Sequence, residues 1–258
     1  MAACPTEGPG AGGWFTDEGF WTAYASLLFD ERRWAETPAV VDGALALAGM
    51  QNRNGLAVLD LCCGPGRHAL EFARRGHAVC GVDLTQPYLD AAADSARAEG
   101  IRLDLIKADA RAFSRPGAFD LAVNLYTSFG YFDDPADDLL MATRLRHNLK
   151  PGGVLVMELN GKETAARHFI EGEWFERGSA LVLTEFSVVG DWEGIENRWV
   201  IIDGQRRVDR RWVQRLYSAL ELKRLLMSAG FSDARAYGSF SGTPYNHAAD
   251  TLVMVARA

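Results

Sequence analysis

The stretch richest in chemistry is VLDLCCGPGRHAL, residues 58–70, where an apolar run ends on Asp60 and turns through Gly64 and Gly66 into a helical pattern. Glycines at such a turn let the backbone double back and approach a bound molecule where a Cβ would collide. Gly64-Pro65-Gly66-Arg67-His68-Ala69 fits the dinucleotide pattern G-x-G-x-x-A, and Asp83 follows at the spacing of an acid that grips a ribose. Asp60 discriminates between candidate ligands. A pyrophosphate at the helix start would meet its carboxylate at about 5 Å, costing about 3 kcal/mol per charge pair at an effective dielectric near 20. A ligand bearing an ammonium and a sulfonium would be attracted instead.

These residues need a scaffold that repeats strand and helix. Short, nearly continuous apolar runs at 56–61, 77–84, 101–109, 119–125 and 153–160 read as strands covered on both faces. Helical spacing lies between them, as in Met141, Leu145 and Leu149 ahead of the Lys150-Pro151-Gly152-Gly153 stop. This alternation predicts a doubly wound α/β fold, a mostly parallel seven-stranded sheet with its ligand at the carboxyl ends of the strands. After Gly161 the pattern changes. Residues 179–217 hold three strand-like runs joined by turn signals at Gly190-Asp191 and Asp203-Gly204, an antiparallel three-stranded insertion. The chain then returns to a helix around Leu222, Leu225, Leu226 and Ala229 and two closing strands. The expected organisation is a flexible lead at 1–13, a helical cap at 14–50, a main domain at 51–178 and 218–258, and the insertion at 179–217.

Composition narrows the partners. The chain has 258 residues, 48% of them hydrophobic and 24% charged, which excludes a disordered or collagen-like chain. A net charge of −7 argues against a nucleic-acid backbone as main partner, and no apolar run is long enough to span a bilayer. The opening residues lack the basic and apolar regions of a secretory signal, so cytoplasmic residence is expected. The four cysteines and five histidines show no metal-ligand spacing, so no metal is expected.

With these motifs in order, residues 14–258 resemble the class I S-adenosylmethionine-dependent methyltransferases, in the small-molecule branch with a β insertion before the last helix. S-adenosylmethionine carries an ammonium and a sulfonium and no phosphate. The resemblance implies that the D-x-x-x-G-x-G turn, Asp60, Gly64 and Gly66 with Cys62 inside it, holds the methionine end. Asp83 would bind the ribose hydroxyls with Leu84 beside the adenine, and Asp109 and the Ala110 amide would receive the adenine edge. Residues 124–131, beginning at Asn124, would floor the transfer site, and Tyr24 would be a lid over the methionine. The second cysteine and the proline of DLCCGPG depart from the commoner small residues. The Asn/Asp-Pro-Pro-aromatic signature of nucleic-acid amino methylation is absent after the fourth strand, which favours a small-molecule acceptor over DNA or RNA.

A sulfonium is already a good leaving group, so positioning dominates and a base is optional. Tyr131, His168 and His247 are the candidates for one. The insertion, the N-terminal helices and the 239–247 loop are expected to roof the acceptor pocket. Arg67 and His68 read as a solvent-facing pair, and Arg206, Arg207, Arg210, Arg211 and Arg215 as one solvated strand face. Rival readings are an NAD(P)-dependent oxidoreductase using the same turn and a regulatory protein that binds S-adenosylmethionine without transferring methyl groups. A homodimer is left open.

Overall fold

A computed structural model describes residues 13–258. The expected lead at 1–13 falls almost wholly outside them. A 3₁₀ turn, Trp14–Thr16, precedes two helices, α1 (Glu18–Leu28) and α2 (Glu31–Ala48). The acids Asp17 and Asp30 cap them, each accepting a hydrogen bond from an N–H of the first turn, and Gly49 ends α2 in the left-handed conformation.

The core then alternates β1 (Ala57–Leu61), α3 (Arg67–Arg74), β2 (Ala78–Asp83), α4 (Gln86–Ala98), β3 (Asp104–Lys107), β4 (Phe119–Asn124), α5 (Pro135–Asn148) and β5 (Leu149–Leu159). After the short α6 (Lys162–Arg167) come β6 (Gly172–Arg177), β7 (Ala180–Val189), β8 (Gly194–Asp203) and β9 (Arg206–Arg215). The chain closes with α7 (Ala219–Ser228), β10 (Asp233–Tyr237) and β11 (Leu252–Arg257). The large sheet has the order β10-β11-β5-β4-β1-β2-β3, and β11 is its antiparallel member. The expected seven-stranded, mostly parallel fold is therefore borne out.

Continuous apolar runs became strands because both faces are covered. Val58, Leu121, Val123, Val154 and Val156 pack toward α2 and α3, while Leu59, Ala122, Leu155 and Met157 pack toward α5 and α7. The order reverses between β1 and β4, so loops at the carboxyl ends of those strands diverge and leave a crevice. No helix of the described residues is long and apolar enough to cross a membrane.

The insertion differs from expectation: it has four antiparallel strands, in the order β6-β7-β8-β9, not three. The added edge strand, GEWFER, pairs only with β7 across the Gly178-Ser179 turn and leaves Trp174 68% exposed. Three of its six residues are charged, so it offers no apolar face that period-two reading would detect.

Candidate active site

A cavity of about 140 Å³ opens at the carboxyl ends of β1, β2 and β4. The glycine turn forms one wall. Gly64 has φ 54°, and its N–H donates to Asp83 Oδ2 at 2.8 Å, while the Thr85 N–H donates to Oδ1 at 2.9 Å. Asp83 thus ties the turn after β1 to the end of β2. Burial pushes its carboxyl up, and these N–H donors hold the rise back. The two glycines serve different ends. A Cβ on Gly64 would stand 3.2 Å from the Phe29 ring, which packs over the turn; one on Gly66 would stand 2.7 Å from the Ala92 Cβ. Gly66 therefore lets α4 approach, and it does not border the cavity.

Asp60 lies beneath the turn, 1% exposed and off the cavity wall. Burial drives its carboxyl up to about 7, with the Arg67 guanidinium pulling the other way, and Oδ2 has no partner. Asn124 is likewise fully buried. Its amide donates to the carbonyls of Leu61 and Ser128, and its Oδ1 has no partner. His68 borders the cavity while 4% exposed; burial and the neighbouring Arg67 keep its imidazole neutral, and Nε2 is unpartnered.

The opposite wall is the loop after β4. Tyr126 and Thr127 are both left-handed, with φ 59° and 61°, at a cost of about 1–2 kcal/mol each. Glu158 on β5 holds them: its carboxylate accepts the Tyr126 N–H at 3.1 Å and its carbonyl the Thr127 N–H at 3.0 Å. The Tyr126 ring lies under two guanidinium groups, Arg33 at 5.0 Å and Arg67 at 4.7 Å. Phe15, Trp21, Phe29, Tyr88, Tyr131 and Phe132 complete an aromatic lining.

Residues 58–153 match the family model described as Methyltransferase domain. They are a methyltransferase domain of the S-adenosylmethionine-dependent class I fold. The methyltransferase is 24% identical over 199 residues to the putative methyltransferase YqeM of Bacillus subtilis, covering 72% of this chain and 77% of that one. It is 29% identical over 126 residues to the ubiquinone biosynthesis O-methyltransferase of Cereibacter sphaeroides, where it spans 48% of this chain and 49% of that protein. In fold it resembles an S-adenosylmethionine-dependent methyltransferase from Clostridium acetobutylicum (TM-score 0.73, 17% identity, 93% of this chain and 97% of that one). It also resembles the sugar N-methyltransferase KedS8 from Streptoalloteichus (TM-score 0.69, 20% identity, 100% and 98%).

Of the site residues expected in this methyltransferase, the cavity brings together Cys62, Gly64, Asp83, Leu84, Asp109, Ala110 and Tyr131. The Asp109 carboxylate is also bound to Arg111, with contacts from 2.6 to 3.2 Å. Tyr24 is not a lid. It is fully buried, its hydroxyl donates to the Trp199 carbonyl at 2.7 Å, and it docks α1 onto the insertion; Phe29 covers the turn instead. His168 follows α6 and His247 sits in an exposed loop, both away from the cavity. Burial raises the Tyr131 phenol, which holds its proton on the cavity wall.

The solvent-facing reading of Arg67 and His68 is overturned because α2 crosses the start of α3. Arg67 donates to the Arg33 carbonyl at 3.1 Å and to Thr37 Oγ1 at 3.3 Å, and both residues are buried. The arginines of β9 are largely paired: Arg207 with Asp209, Arg211 with Glu196, Arg215 with Asp138. Neither the insertion nor the 239–247 loop borders the cavity. The insertion instead backs α1 through Trp199 and Trp212, whose rings meet Tyr24 and Phe20. Sequence reasoning missed Arg33, Glu158 and Phe29, and none of them carries a spacing signal.

Proposed function

We propose that this methyltransferase moves a methyl group from S-adenosylmethionine to an N or O atom of a small metabolite. The observation that carries the reading is one aromatic-lined cavity with Asp83 at the end of β2 and the glycine turn beside it. The donors and acceptors present fit the cofactor. Asp83 and Asp109 are the acids of the wall, Arg67 is its one arginine, and the partnerless oxygens of Asp60 and Asn124 lie below the turn. Asp83 would hold the ribose, Leu84 and Ala110 the adenine, and Cys62 and Gly64 the methionine end, with Arg67 beside its carboxylate.

When bound, S-adenosylmethionine supplies a methyl carbon on a sulfonium. The chain's own contribution is position. The aromatic faces of Phe15, Trp21, Phe29 and Tyr131 exclude water and attract positive charge. Tyr131 and His68 stand on the cavity wall, where they offer hydrogen bonds to an acceptor. A covered pocket suits a compact acceptor, as does the resemblance to KedS8, described as a sugar N-methyltransferase, and to the O-methyltransferases of ubiquinone biosynthesis.

The test is a panel of small amines and hydroxyl compounds with S-adenosylmethionine, read by formation of S-adenosylhomocysteine. Turnover of at least one acceptor is expected. Cofactor binding with no product from any class would favour the regulatory reading, and absence of cofactor binding would sink both.

A further inference from the structure

We propose that Gln214, at the end of β9, is a positioning residue that makes the insertion a clamp on the loop flooring the transfer site; this rests on the methyl-transfer reading above. The Gln214 Nε2 donates to two carbonyls of that loop, Thr127 at 3.0 Å and Phe129 at 3.3 Å. The next residue continues the grip, since the Arg215 N–H donates to the Gly130 carbonyl at 2.8 Å. Thr127 to Gly130 all border the cavity, although no residue of the insertion does. The insertion therefore reaches the site through the backbone of this loop.

The loop needs a clamp because its conformation is strained. Two successive residues that are not glycine, Tyr126 and Thr127, stand in the left-handed region. Glu158 fixes their N–H groups from the sheet side. The carbonyls that follow have no partner there apart from Asn124, whose amide takes Ser128. Gln214 supplies the missing donors from the other side. A carboxamide is the required group: both partners are acceptors, and Nε2 carries two protons to give them. A carboxylate in its place would face two carbonyl oxygens with nothing to donate.

Two variants test the clamp by two independent readouts. In Gln214→Met the shape is kept and the donors are lost, so amide hydrogen exchange at residues 126–130 should accelerate tenfold or more while β7 and β8 keep their protection. With an accepted substrate, kcat should fall at least tenfold while cofactor Kd and acceptor KM stay within twofold. In Gln214→Glu the rate relative to wild type should recover as pH falls from 8 to 5, because a protonated carboxyl regains one donor. Unchanged exchange in Gln214→Met, or faster exchange with kcat unchanged, would overturn the positioning role. So would a pH-independent ratio in Gln214→Glu. Faster exchange in a wild-type-like fold that transfers no methyl group to any acceptor would instead retain the clamp and refute the methyl-transfer reading.

Discussion

Asp60→Asn should remove a pH dependence that the buried carboxyl imposes on folding. Asp60 is 1% exposed, and its carboxyl titrates at about 7 in the folded chain against an ordinary value of 3.8. Between those values the folded state keeps a proton that the unfolded state has lost, so stability falls as pH rises, by about 1.4 kcal/mol per pH unit. From pH 5 to pH 7 this group withdraws about 2.3 kcal/mol, because the slope has halved where the folded carboxyl is half ionised, and above about pH 8 both states are ionised and the contribution is level. Asp83 and Glu158 are also raised by burial, but they remain in the variant. The difference between the two proteins therefore reads Asp60 together with its coupling to Asp83. Urea unfolding at pH 5, 6, 7 and 8 measures it: the variant should gain on wild type by about 2.3 kcal/mol between pH 5 and 7 and by only about 0.4 kcal/mol more by pH 8. Parallel curves across that range would show that Asp60 is ionised throughout and that its burial is already compensated.

Three other outcomes follow from the same geometry. Asp83→Asn keeps the shape but loses the charge that receives hydroxyl donors, and should weaken S-adenosylmethionine binding by about 1.5–3 kcal/mol; unchanged calorimetric affinity would remove Asp83 from the cofactor site. Phe29→Ala uncovers the Gly64 turn and should weaken the same affinity by about 1–2 kcal/mol while leaving the unfolding midpoint nearly level. Gly66→Ala forces a left-handed alanine into Ala92 and should cost about 2–4 kcal/mol, a drop of roughly 5–15 °C in Tm by calorimetry.

The fold was readable because its strands are buried on both faces, which leaves uninterrupted runs such as LAVLDL and GVLVMEL in the chain. The glycine turn and Asp83 were readable because a left-handed turn calls for glycine and its N–H calls for an acid at the end of the next strand. Other features depend on how distant elements meet. Tyr24, Trp21 and Phe29 all lie on or just after α1, and only the docking of that helix between insertion and core decides which of them faces the cavity. Arg67 and His68 look like surface residues until α2 is laid across them. The strand β6 escaped because a charged edge strand has no buried face to announce it, and the left-handed Tyr126 and Thr127 because nothing in their side chains requires that backbone.

Four of the seven tryptophans form a chain of touching rings: Trp21 to Trp14 at 5.6 Å, Trp14 to Trp212 at 5.6 Å, and Trp212 to Trp199 at 5.5 Å. They come from three separate stretches of sequence, the first turn, α1 and the insertion, and Trp21 borders the cavity. The protein thereby contains its own optical gauge. Its ultraviolet emission should register both the seating of the leading helix and the arrival of a molecule beside Trp21, without any attached dye.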